Sequence, residues 1–75
     1  MGRLKPLPFR EIKRRLEAVG FIETSQKGSH VKFVRRVGPD VDIAIVPRKT
    51  EVPPGTIRSI LNQAHISLDD WDEFY

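Results

Sequence analysis

Residues 28–46, GSHVKFVRRVGPDVDIAIV, carry the pattern that sets the fold. From His30 to Val37 apolar and polar side chains alternate. Val31, Phe33 and Val37 fall on one side, and His30, Lys32, Val34 and Arg36 on the other. A period of two is that of a β-strand with one face buried. Arg35 interrupts the apolar side, and near a strand end its aliphatic stem can snorkel to water. Gly38-Pro39-Asp40 is a turn signal. Val41-Asp42-Ile43-Ala44-Ile45-Val46 then returns as a second strand, read with Val41, Ile43 and Ile45 inward. With a three-residue loop, Val37 opposes Val41, so Arg36 meets Asp42, Val34 meets Ala44, Lys32 meets Val46 and His30 meets Arg48. A slip of one residue would exchange the two faces.

Working outward, Phe21-Ile22-Glu23-Thr24 reads as a further strand, joined through the turn Lys27-Gly28-Ser29. Before it, Phe9, Ile12, Leu16 and Val19 recur at helical spacing, which predicts a helix over 9–19 with Gly20 as its left-handed cap. Pro8 suits the first turn of that helix, and residues 1–8 read as a loose lead-in. Arg10, Lys13, Arg14 and Glu17 take the outer face. Beyond the hairpin, Arg48 to Gly55 reads as a loop. Ile57, Ile60, Leu61 and Ala64 then make a second amphipathic helix started by Pro53-Pro54-Gly55-Thr56. Ser67 is an N-cap candidate for a short acidic helix over 67–75, with Asp69 and Asp70 in its first turn and Trp71 and Phe74 among its apolar residues. The expected fold is α+β, ordered α-β-β-β-α: a three-stranded antiparallel sheet with helices on one face and the other face open to solvent.

The chain has 75 residues, enough for one domain over 1–75. It has no cysteine, so neither a disulfide nor a thiolate metal site braces the core. Two histidines without a carboxylate cluster argue against a metal. No apolar run reaches the ~20 residues of a membrane span and no signal segment precedes the first helix, so the expected address is cytoplasmic. All 13 Lys and Arg lie in residues 1–58 with six acids, a balance of +7, whereas residues 59–75 hold four acids and no base. A body this basic favours a polyanion, most simply nucleic acid. Solubility alone is the plainer explanation of such charge.

The open face of the hairpin would place His30 between Lys32 and Arg48, with Lys27 at its edge. Imidazole titrates near neutrality and can take the proton of a ribose 2′-OH or protonate a leaving 5′-oxygen. Neighbouring cations would stabilise the charge on the phosphorane. The internal 2′-OH nucleophile requires no metal and no cofactor. Judged by composition alone, a lone histidine in a basic strand is more often a solvated surface residue. His65, at the end of the second helix, suits a cap or a dipole partner. Phe9, Phe21, Phe33 and Trp71 read as core, not as base-stacking platforms. The acidic tail caps the fold or imitates phosphate over the basic face; the cap is preferred.

Lys27-Gly28-Ser29-His30-Val31-Lys32-Phe33, Ile45-Val46-Pro47-Arg48 and Pro54-Gly55-Thr56-Ile57-Arg58-Ser59-Ile60-Leu61-Asn62-Gln63-Ala64 resemble the HicA (YcfA-like) toxin family. Leu16-Glu17-Ala18-Val19-Gly20-Phe21 is similar to its first helix and Gly-Phe exit, so the resemblance spans roughly residues 9–68. It implies a double-stranded-RNA-binding-domain-like fold and an mRNA interferase, the toxin of a type II toxin–antitoxin pair. It also implies a HicB-like antitoxin that covers the active site. The family's essential histidine stands in its Gly-Ser-His motif, here His30. Lys27, Gly28, Ser29, Lys32, Arg36 and Arg48 are the expected RNA and phosphate contacts. Two positions depart from the family pattern. Val31 stands where many members carry a second histidine, and His65 stands where a glycine is usual, which requires a left-handed backbone or a longer helix. The rival reading is a non-catalytic RNA-binding module of the same fold; a third is a structural partner that exists only in a complex.

Overall fold

The computed structural model describes residues 4–72. The elements run α1 (Phe9–Ala18), β1 (Ile22–Lys27), β2 (His30–Val37), β3 (Asp40–Pro47), α2 (Pro54–Ala64) and α3 (Leu68–Asp72). The strands form one antiparallel sheet in the order β1-β2-β3. The expected α+β architecture is present, with the core between the helices and one sheet face. Phe9, Ile12 and Leu16 of α1, Val31 and Phe33 of β2, Ala44 and Val46 of β3, and Ile57, Ile60, Leu61 and Ala64 of α2 close it. Phe74 and the last residues of the expected C-terminal helix lie outside the described residues.

The β2–β3 register differs from the expected one by a single residue. Val37 pairs with Asp40, Arg35 with Asp42, Phe33 with Ala44, Val31 with Val46 and His30 with Pro47. The loop is therefore two residues, Gly38-Pro39. Gly38 has φ 60°, which suits the first central position of a primed hairpin turn, and the proline ring fixes a negative φ at the second. The slip turns β3 over: Asp42, Ala44 and Val46 are buried, while Ile43 and Ile45 lie on the open face. Both parities of β3 are apolar, so side-chain size misled. The small Ala44 goes inward, where α2 packs on β3.

Two segments read as featureless are tied down. Leu7 and Val52 exchange backbone hydrogen bonds of 3.2 and 2.7 Å, and Phe9 N–H donates to the Lys49 carbonyl at 2.9 Å. The lead-in is thus fastened from Leu7 onward, and Val52 is fully buried. Pro8 is the extended residue that caps α1, one position earlier than expected. Ser67 caps α3 as read, its hydroxyl accepting from Asp70 N–H at 3.1 Å.

Charge inside the fold is organised by partners distant in sequence. Arg35 does not snorkel. Its Nη2 donates to Asp42 Oδ2 at 2.8 Å, and its Nη1 donates to the Val19 carbonyl at 3.1 Å, where α1 ends. Nη2 also reaches the Ala64 carbonyl at 3.4 Å, and the guanidinium stacks on Phe21 at 4.6 Å. A cation is thereby set against the C-terminal carbonyls of two helices, where it is favoured. His65 takes the left-handed conformation (φ 59°) and places Nδ1 2.7 Å from Asp42 Oδ1. The hydrogen bonds from Arg35 and then from His65 hold the Asp42 carboxyl below its usual range. Arg15, on the inward stripe of α1 between Ile12 and Leu16, is buried; it pairs with Glu11 at 2.9 Å and lies 5.2 Å from the Trp71 ring.

Arg14 above all, and Arg15 against the cost of desolvation, lower the Glu11 carboxyl from 4.5 to about 2. Both carboxyls are depressed in the folded state. Their contribution is therefore complete above the unfolded values and disappears as they protonate. The expected result is a urea midpoint that falls as pH drops from about 4.5 towards 2. Glu11→Gln should be less stable than the parent at pH 7 and lose less over that window. Parallel curves for the two proteins would contradict the pairing.

Candidate active site

The face of the sheet turned away from the helices is built row by row. Lys27, His30 and Pro47 stand opposite one another at one end. A bulge at Thr24 shifts β1 so that Ser25, and not Thr24, opposes Lys32, with Ile45 completing the second row. Ile22, Val34 and Ile43 form the third row, and Arg36 with Val41 the far end. His30 faces outward for a reason independent of the β3 register: Val31 and Phe33 are fully buried, so alternation sends His30 and Lys32 to the other side.

Ser25, Lys27, His30, Lys32 and Ile45 line a shallow depression of about 530 Å3. That is within the ~300–1,000 Å3 of ordinary ligand sites. The Gly28-Ser29 turn closes the β1–β2 hairpin beside it, with Gly28 at φ 61°. The directly opposed Lys27 and His30 flank that turn, which brings their side chains together on one face. Neither Lys27 nor Lys32 has a carboxylate partner among the described residues. Lys13, by contrast, pairs with Glu23 at 3.0 Å and Arg14 with Glu11. An exposed imidazole between two free ammonium groups can move a proton beside a bound phosphate.

Not every expected contact gathers there. Arg36 shares the face but lies six residues along β2, roughly 20 Å away at ~3.3 Å per residue. Arg48 is not opposite His30, because the true register puts Pro47 there. Its N–H donates to the Ser29 carbonyl at 2.6 Å, while its side chain turns over the rim, stacking on Phe9 at 4.6 Å and reaching Gln26 Oε1 at 3.4 Å. Ser25 and Ile45 were missed: one moved by a bulge, the other by the slip. Among the described residues no group of His, Asp or Glu is placed to hold a metal ion, and no helix is long and apolar enough to cross a membrane.

The model for the HicA toxin of bacterial toxin–antitoxin systems matches residues 9–66, from the start of α1 to just past the end of α2. The chain belongs to the HicA toxin family. No curated protein matches it. As a HicA family member it is the toxin side of a toxin–antitoxin pair, and an antitoxin is its partner. Its Gly-Ser-His segment is the turn and first residue of β2, at the depression described above.

Proposed function

We propose that this HicA family chain is an endoribonuclease that cleaves mRNA by attack of a ribose 2′-OH on the adjacent phosphate, with His30 as its catalytic residue. The observation that carries this is the exposed His30 held between Lys27 and Lys32 in one depression. Imidazole takes the proton of the 2′-OH or supplies one to the 5′-oxygen. In either case the O2′–P bond forms as the P–O5′ bond breaks, leaving a 2′,3′-cyclic phosphate and a 5′-OH. The two ammonium groups stabilise the charge gathered on the phosphorane oxygens, and the Gly28-Ser29 turn borders the phosphate. The antitoxin is a HicB-like protein that lies over this depression and denies it to RNA. Charge complementarity would speed that association and make its rate fall as salt rises. The pair acts in the cytoplasm, where mRNA is met.

End-group chemistry tests the reaction. Because the nucleophile belongs to the substrate, cleavage should continue in EDTA and yield cyclic-phosphate or 3′-phosphate ends. Products with 5′-phosphate and 3′-OH ends, or a strict magnesium requirement, would overturn the transesterification.

A further inference from the structure

The niche at the start of α1 carries the strongest unassigned chemistry. Pro8, Phe9, Arg10, Arg48, Lys49 and Thr50 line a recess of about 220 Å3. Three of the six are cationic and none is acidic. Arg10 and Lys49 are exposed and make no ion pair among the described residues, and Glu11, the acid of that helical turn, is engaged by Arg14 and Arg15. Arg48 is oriented in advance by stacking on Phe9 and by its contact with Gln26, so little freedom is lost when it meets an anion. The recess is tied to the His30 depression through Arg48. The Arg48 backbone is bonded to Ser29, the neighbour of His30, and its side chain crosses the sheet rim to Phe9.

We infer that this niche is a second phosphate subsite, holding a phosphodiester of the same RNA strand whose scissile bond lies at His30. The inference rests on the RNA-cleaving reading and extends it: the strand bends over the sheet end at Arg48 and is gripped by Arg10 and Lys49. Single-stranded RNA fits this path, because a stiff duplex would not follow the turn from the sheet face to the helix side.

The test uses the full chain and a 2′-O-methylated RNA 12-mer, which cannot be cleaved by 2′-OH attack. Arg10→Ala and Lys49→Ala should each weaken binding about threefold to tenfold and lower the salt slope by about 0.7, the value for one lost single-strand phosphate contact. Arg58→Ala removes the same charge from exposed α2 and should change affinity less than twofold. Unchanged slopes for Arg10→Ala and Lys49→Ala in a chain that binds and cleaves RNA would overturn the subsite alone. An equal loss in Arg58→Ala would also overturn it, showing a diffuse charge effect. Displacement of the 12-mer by inorganic phosphate at equal concentration would reveal a free-anion site instead. A parent chain that neither binds nor cleaves RNA would overturn the subsite together with the function.

Discussion

His30→Ala should reduce RNA cleavage by about 10²–10⁴-fold, the usual contribution of a general acid or base. The substitution should leave the fold intact, since His30 is exposed at the first position of β2. RNA affinity should stay close to that of the parent, because the phosphate is held by Lys27 and Lys32. A melting curve, a binding isotherm on 2′-O-methyl RNA and a single-turnover cleavage rate together decide the matter. Lys27→Ala and Lys32→Ala should show the opposite division, with weaker binding and a salt slope reduced by about 0.7 each. A folded His30→Ala protein that cleaves near the parental rate would remove His30 from the chemistry and favour the non-catalytic RNA-binding module.

Trp71→Ala should remove a large share of the fold's stability. Trp71 is fully buried, and it packs beneath the buried Arg15 of α1. Truncating a core Trp to Ala costs about 3–5 kcal/mol. A domain of this length has about 4–11 kcal/mol in total at 0.05–0.15 per residue. The expected drop in melting temperature is roughly 12 °C or more, taking ~4 °C per kcal/mol as the lower conversion. Leu68→Ala, at a half-buried position of the same short helix, should cost far less. The residue matters because α3 lies beyond the 9–66 span of the family match. A chain cut after Ser67 should therefore behave like Trp71→Ala. A shift of only a few degrees would show that α3 is an appendage and that the burial of Arg15 does not depend on Trp71.

Within the described residues the acidic segment is anchored to the fold through the buried Trp71. Asp69 and Asp70 sit in the first turn of α3, where the helix dipole favours them, and Trp71 turns inward. The positions of all three follow from Ser67 and the helical period. That Trp71 would meet Arg15 could not be read locally, since 56 residues separate them.

Element order, the inward stripes of α1 and α2, and the outward direction of His30 were legible because each is a periodicity within one segment. Val31 and Phe33 point His30 outward whatever β3 does. The face of β3 was not legible in this way. Val41, Ile43 and Ile45 compete with Ala44 and Val46, and hydrophobicity alone prefers the larger set. The choice goes with the two-residue Gly38-Pro39 turn, and it places the small Ala44 on the face of β3 that α2 covers. Moving one register step carried Arg48 from beside His30 to the rim, buried Asp42, and set it against Arg35 and His65. The buried guanidinium of Arg15 and the half-buried one of Arg35 are the same case. A charge enters the core only where carboxylates, carbonyls and rings converge on it, and those partners that come from other segments arrive only once the chain is folded.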